Sequence, residues 1–184
     1  MKSLSGRPKK CEACPNKFVP TRTFQTWCSP DCAVVIAKAK RQKEKKAELK
    51  QRKEAIKTRG ELLEEAQRAF NWWIRERDYG QPCNSCGRAS GCKVNAGHYR
   101  SVGAQPALRF HPDNVHIQCE HCNSYLSSNA VEYRIRLVQK IGIEKVEWLE
   151  QEHEPAKWTV EEIKEIKKKY SKMARELKKQ RGDL

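Results

Sequence analysis

Eight of the nine cysteines in this 184-residue chain fall into two quartets, and four thiolates drawn together are the ligand set of a tetrahedral zinc ion. The first quartet runs Cys11-x2-Cys14, thirteen residues, then Cys28-x3-Cys32. The second runs Cys83-x2-Cys86, thirty-two residues, then Cys119-x2-Cys122. In each, two short chelating bends are joined by an intervening segment, which is what such a site needs. Disulfides are the other use for so many cysteines. The chain starts MKSLSGRPKK, however, with no apolar stretch behind the basic residues, so a reducing, cytoplasmic address is expected and metal is the better reading. Cys92 has no partner in this count and reads as a small buried or free thiol.

The thirty-two residues inside the second quartet exceed a simple finger loop and carry reactive side chains of their own. Ala96-Gly97-His98-Tyr99 comes first, then His111-Pro112-Asp113-Asn114-Val115-His116, and Asn123 directly follows the last cysteine. Hydrolysing a phosphodiester requires a base for an in-line water, a cation for the developing charge, and a rigid frame for both. His98 reads as a strand residue, and an imidazole with an unperturbed pKa of about 6.5 suits proton abstraction near neutrality. Asn123 falls in the first turn of the helix that the second knuckle starts. Its side-chain oxygen suits a hard ion such as Mg²⁺, which keeps several waters. A structural imidazole and an N-cap or turn amide are the plainer readings of the same two residues.

Taken together, Cys-x2-Cys, a Gly-His on a strand, an Asn sixteen residues later and Cys-x2-Cys-Asn opening a helix resemble the HNH nucleases, in the zinc-stapled treble-clef form of their ββα-metal fold. The stretch YLSSNAVEYRIRL and the extra N-terminal finger are similar to the lambdoid phage NinG/Rap family of recombination endonucleases, a likeness that covers nearly the whole chain. The resemblance implies that His98 is the general base. It implies that Asn114 ties the connecting loop to the strand bearing that base, and that Asn123 binds the catalytic Mg²⁺ or Mn²⁺. It further implies metal-dependent nicking of branched DNA such as Holliday junctions and D-loops, binding to branched or duplex DNA as a homodimer, a place in the host-cell cytoplasm, and phage recombination proteins as partners.

Two departures qualify the match. Many zinc-stapled relatives carry an acidic ligand directly before the base, where this chain has Gly97. A substitute would come from His121, His116, His111, Asp113 or Glu132, and spacing does not choose among them. The last motif position, a His in many relatives, is Asn123, which favours Mg²⁺ or Mn²⁺ over a softer ion. Two rivals stay open. One is a non-catalytic zinc-finger protein that grips DNA or RNA, with both quartets structural. The other is an RNA-processing nuclease on the same site, since a reader of the 2′-hydroxyl is not visible in sequence.

The elements that must hold these groups can be read from the rest of the chain. WCSPDC leads into Ala33-Val34-Val35 with Pro30 and Asp31 in a first helical turn, the layout of a treble-clef-like finger. Residues 35 to 59 contain no Gly or Pro and carry eleven basic against three acidic side chains. They predict a helix without a sustained coiled-coil seam, whose cations could track phosphates or simply be solvated. Residues 61 to 77 predict a second helix with Leu62, Leu63, Ala66, Ala69, Phe70, Trp73 and Ile74 on a core face. A third helix is expected at 131 to 141, and the acidic stretch 144 to 154 is expected at the surface. Thr159 and Glu162 form a capping-box pattern. After it Val160, Ile163, Ile166, Tyr170, Met173 and Leu177 make one apolar stripe that docks on the protein or on a second copy.

Lys and Arg number 38 against 23 Asp and Glu, a formal charge of +15, which calls for a polyanionic partner. Residues 60 to 160 are nearly neutral, with twelve basic and thirteen acidic side chains, so the flanks carry the field. The longest apolar run is the six residues from Cys32 to Ala37, far short of a membrane span. The expected fold is a small zinc-stabilised α+β protein. A finger occupies residues 1–34, a basic helical linker 35–60, an HNH-like nuclease domain with the second four-cysteine zinc site 61–143, and an acidic connector with a basic amphipathic helix 144–184.

Overall fold

A serine and a proline decide where the first long helix begins. In the computed structural model, which describes residues 7–89, 91 and 93–182, Ser29 is extended and its hydroxyl accepts from the Cys32 N–H at 3.3 Å. Pro30 takes the first helical position, where a missing N–H costs nothing. Helix α1 (Pro30–Ala55) therefore starts inside the first cysteine quartet and ends before the expected 59. Ahead of it, β1 (Lys9–Lys10) pairs antiparallel with β2 (Lys17–Phe18). No residue of α1 is buried, as expected of a segment with charges on every face and no apolar stripe.

The chain divides between Lys57 and Thr58 into two units. The second opens on a capping box that starts the next helix. The Thr58 hydroxyl accepts from Glu61 N–H at 3.3 Å while the Glu61 carboxylate accepts from Thr58 N–H at 2.7 Å. Helix α2 (Arg59–Arg77) then buries Leu62, Ala66, Ala69, Phe70, Trp73 and Ile74. These are the face its periodicity predicts, with Leu63 packed at its margin.

The hairpin of β3 (Val94–His98) and β4 (Val115–Cys119) is antiparallel, with Gly97 opposite His116 and His98 opposite Val115. Strand alternation sends Val115 and Ile117 to one face and His116 and Gln118 to the other; all four are buried. Val115 and Ile117 join the α2 face and α5 (Val160–Gln180) in one core. The Phe70 ring meets Tyr170 edge-on at 4.8 Å and Phe110 at 5.7 Å. The stripe of α5 is thus covered within its own chain: Ile163, Tyr170 and Ala174 are buried, and Val160, Ile166, Met173 and Leu177 pack against the same core.

A second, smaller core holds Leu108, Tyr133, Leu137, Val146 and Leu149. It joins α3 (Ala130–Ile141) to α4 (Ile143–Glu150) across Gly142, whose φ of 89° is open to glycine. The acidic 144–154 segment is therefore no plain surface connector. Glu144 and Glu147 face solvent, but Val146 and Leu149, three residues apart, are fully buried. Among the described residues no helix is long and apolar enough to cross a membrane.

Candidate active site

Both cysteine quartets assemble. In each, the four Sγ atoms lie within 4.8 Å of one another, with separations of 3.5 Å for Cys14–Cys28, 3.6 Å for Cys28–Cys32 and 3.8 Å for Cys86–Cys119. Thiolates at the corners of a zinc tetrahedron stand about 3.8 Å apart, given a Zn–S bond of about 2.3 Å, whereas a disulfide would bring two sulfurs to about 2.0 Å. Two four-thiolate sites of this form can each hold a zinc ion. Backbone amides turn toward the sulfurs: Ala13 N–H to Cys11 at 3.5 Å and Cys119 N–H to Cys83 at 3.3 Å. Burial opposes ionisation of Cys83, yet the amides of Cys119, Cys86 and Ser85 bring its pKa down to about 7. Burial and the neighbouring sulfurs push Cys122 up to about 12. Four thiolates this close cannot all ionise without a cation among them. Cys92 lies outside the described residues.

Between the knuckles, the structure sets His98 at the end of β3. Its Nε2 lies 3.1 Å from the Arg109 carbonyl oxygen, so Nε2 carries the hydrogen and donates. Among the described residues Nδ1 has no partner, which leaves its lone pair free. Burial lowers the His98 pKa below its ordinary 6.5, the Arg109 carbonyl opposes this, and the Arg109 charge adds to the lowering.

Asn114 is fully buried at the turn into β4. Its Nδ2 donates to the carbonyls of Arg100 at 3.0 Å and Leu108 at 3.1 Å, and its Oδ1 accepts from Arg100 N–H at 2.8 Å. The two ends of the loop from Arg100 to Leu108 are thereby held together at the head of β4, the strand paired with the one that bears His98. Asn123 sits past the knuckle in a wide helical turn, His121–Tyr125, closed by Leu126 N–H donating to His121 O at 3.1 Å. It is partly exposed, and its side chain makes no hydrogen bond among the described residues. Three residues with positive φ follow, Ser127, Ser128 and Asn129. This uncommon backbone is held in place because the Ser128 carbonyl accepts from Gln118 Nε2 at 2.7 Å and Ser85 Oγ at 3.2 Å.

The five positions considered as substitutes for an acid at residue 97 scatter. His121 is exposed and stacks on Tyr125 at 6.0 Å. Glu132 is exposed in the first turn of α3. His111 leans on Trp148 at 5.0 Å, and Asp113 pairs with Lys145 at 3.1 Å; all four line a cavity of about 160 Å³. His116 belongs to a buried charge network. Arg77 holds Asp78 in two bonds of 2.7 and 2.9 Å and donates to His116 Nδ1 at 2.9 Å and to the carbonyls of Pro112 and Val115. Lys140 stands 3.8 Å from Asp78. Burial alone would raise the Asp78 pKa, but His116, Arg77 and Lys140 hold it far below the carboxylate range. Among the described residues, the only groups of three or more His, Cys, Asp or Glu able to share a metal are the two cysteine quartets. A hard cation near Asn123 would therefore find no cluster of three such side chains among the described residues and would draw on amide oxygens and water for much of its shell.

Residue 97 itself carries a signal that spacing could not give. Gly97 has an ordinary strand φ, yet a Cβ there would lie 1.8 Å from Gln118 Oε1 and 2.6 Å from Gln118 Cδ. The place of a side chain at 97 is filled from the neighbouring strand.

No solved structure matches the chain. Its sequence does have relatives: Protein ninG of Salmonella phage P22 is 40% identical over 201 residues, covering 100% of this chain and 99% of that protein. Protein ninG of Escherichia phage lambda is 40% identical, covering 95% and 94%, and that of Escherichia phage 933W is 38% identical, covering 95% and 96%. The family model described as Bacteriophage Lambda NinG protein matches residues 4–180. With nearly its whole length matched at this identity, the chain belongs to the NinG family of bacteriophage proteins.

Proposed function

We propose that this protein is a metal-dependent endodeoxyribonuclease of phage recombination, nicking branched DNA such as Holliday junctions and D-loops in the host cytoplasm. The observation that carries the reading is the His98 ring. Its Nε2–H is anchored on the Arg109 carbonyl, which makes Nδ1 the proton acceptor, and burial keeps the ring neutral near pH 7. Nδ1 takes a proton from the attacking water, and the Arg109 carbonyl steadies the imidazolium that forms. When bound, Mg²⁺ or Mn²⁺ neutralises charge on the phosphate and the leaving oxygen. Asn123 offers the amide oxygen such an ion prefers. Asn114 holds the loop whose next residue after Leu108 is Arg109, so it positions the carbonyl that aims His98.

The unburied cations of α1 favour contact with phosphates, and they alone would equally suit a zinc-stapled grip without catalysis. Nicking a junction symmetrically requires two sites at a fixed separation, hence a homodimer. Because the α5 stripe is covered by α2, the dimer contact lies on another surface.

The test uses wild type and His98→Ala, matched for zinc content and for binding to a four-way DNA junction. Nicking is assayed with Mg²⁺ or Mn²⁺ and with EDTA. The variant is expected to lose about 10²- to 10⁴-fold in rate. Equal cleavage by both proteins, or cleavage indifferent to EDTA, would refute the assignment; binding without any cleavage by wild type would support the grip. Nicking confined to an RNA version of the junction would move the substrate to RNA.

A further inference from the structure

The Gln118 carboxamide is fully buried, yet only half of it is satisfied. Nε2 donates to Ser85 Oγ at 2.6 Å and to the Ser128 carbonyl at 2.7 Å, while Oε1, also buried, has no partner. Rotating the amide does not solve this. An oxygen turned toward the Ser128 carbonyl would set acceptor against acceptor, so the surroundings fix which end faces where. An unpaired acceptor inside a protein is rare and asks for a donor or a cation.

Oε1 sits over Gly97, 1.8 Å from where a Cβ would stand. The φ of Gly97 is available to any residue, so the glycine is required by this approach and by nothing in its own backbone. Gly97 directly precedes His98. Gln118 directly precedes Cys119, the first residue of the knuckle that leads to Asn123. Oε1 is thus an oriented neutral oxygen located where a side chain at 97 would otherwise begin, on a hairpin locked by the second cysteine quartet. The buried Ser85, itself inside the Cys83–Cys86 bend, holds its other end.

We infer that Gln118 supplies, through Oε1, the divalent-ion contact that Gly97 cannot make, so that the ligand has moved from β3 to a diagonal position on β4, two residues beyond His116, which faces Gly97. This rests on the nuclease reading above. It gives the ion neutral amide oxygens in place of a carboxylate, and hence a weaker site than an acid at 97 would build.

A swap of ligand between the strands tests it. Removing the Gln118 side chain beyond Cβ also removes the three atoms nearest to a Cβ at 97, Gln118 Oε1, Cδ and Cγ. Mn²⁺ affinity is measured by electron paramagnetic resonance on full-length, zinc-loaded wild type, Gln118→Ala, and Gly97→Asp combined with Gln118→Ala. Zinc content and Tm are recorded for each. Gln118→Ala is expected to weaken Mn²⁺ binding by about tenfold or more, and the double variant to recover it to the wild-type level or beyond. Unchanged Mn²⁺ affinity in a folded, zinc-replete Gln118→Ala would overturn the inference and make Gln118 a filler or the partner of a buried water. Should Gln118→Ala fail to fold, the double variant decides alone: folded but no tighter than a Gly97→Ser, Gln118→Ala control, it overturns the inference equally. In both cases wild-type nicking with Mn²⁺ would leave the nuclease reading standing. A wild type that neither binds Mn²⁺ nor nicks would remove both.

Discussion

Asn114 and Arg100 grip each other by two hydrogen bonds, the Asn114 Oδ1 accepting from Arg100 N–H at 2.8 Å and its Nδ2 donating to Arg100 O at 3.0 Å. A third bond to the Leu108 carbonyl brings both ends of the loop to one carboxamide. Asn114→Ala strands these groups in a buried place, at a cost of about 3 kcal/mol. It also frees the Arg109 carbonyl that aims His98. The expected result is a lower Tm together with a nicking rate reduced about 100-fold, and junction binding close to wild type. Asn114→Asp keeps the acceptor but loses both donations, so it should fall between wild type and alanine in denaturant midpoint; parity with wild type would count against the loop clamp.

The proposed role of His98 as base predicts an acid limb in the pH profile of nicking. Its folded pKa is below 6.5, chiefly through burial, and only the neutral ring accepts a proton. The rate at low substrate should therefore rise with pH through an inflection below 6.5 and level off above it. For stability the sign runs the same way. A base whose pKa falls on folding is more readily protonated when unfolded, so its contribution is full above about 6.5 and is lost as pH drops. His111 and His116, also lowered by burial, act in the same direction. Single-turnover nicking between pH 5 and 8, with Tm at each point, separates the two effects; an inflection above 7 would speak against His98 as base.

Asp78 is the anion that Arg77, Lys140 and the Ile117 N–H converge on, the last at 3.2 Å. Removing it leaves Arg77 facing His116 without a counter-charge. Asp78→Ala should cost about 3–5 kcal/mol by urea unfolding, the usual penalty for breaking a buried pair from one side. Replacing Arg77 and Asp78 together by Leu and Asn should cost less than the two single changes added, because neither charge is stranded. Simple additivity would mean that the pair is not coupled.

Some of this was legible because it is local. Cysteine spacing fixes a zinc quartet within a few residues, and the α2 face from Leu62 to Ile74 follows from helical period alone. Other parts depend on partners far along the chain. Arg77 and Asp78 look like a solvated helix end, and it takes β4, nearly forty residues on, to bury Asp78 and to give Arg77 its acceptors. Gly97 reads as a missing ligand until Gln118, twenty-one residues later, is seen lying across it. In α4 the acidic residues disguise Val146 and Leu149, since two buried apolar positions in so short a helix make a weak periodic signal.

The two cysteine quartets should not respond alike to mutation. Metal analysis of purified protein is expected to give two zinc ions per chain. Cys119→Ser removes a ligand next to Gln118 and at the end of β4, so it should release one zinc and melt the second unit, structural zinc contributing on the order of 10 kcal/mol to small finger folds. Cys28→Ser should release one zinc and leave the Tm of the unit beginning at Thr58 unchanged. A folded, zinc-replete Cys119→Ser protein would remove the second site from this account.

Helix α1 makes a separate quantitative demand. Its cations are unburied, and each one that displaces a counterion from duplex phosphate contributes about 0.9 to the slope of log affinity against log salt. Changing Lys43, Lys45, Lys46 and Lys50 together to Gln should therefore reduce the magnitude of that slope by up to about 3.6 and weaken DNA binding most at low salt. The nicking rate at saturating DNA should hold, because His98, Asn114 and Asn123 belong to the other unit. Fluorescence anisotropy on one four-way junction from about 50 to 300 mM salt measures the slope, and a single-turnover assay at saturation measures the rate. An unchanged slope would make α1 a solvated connector, and the phosphate contacts would then have to come from the cations of α5.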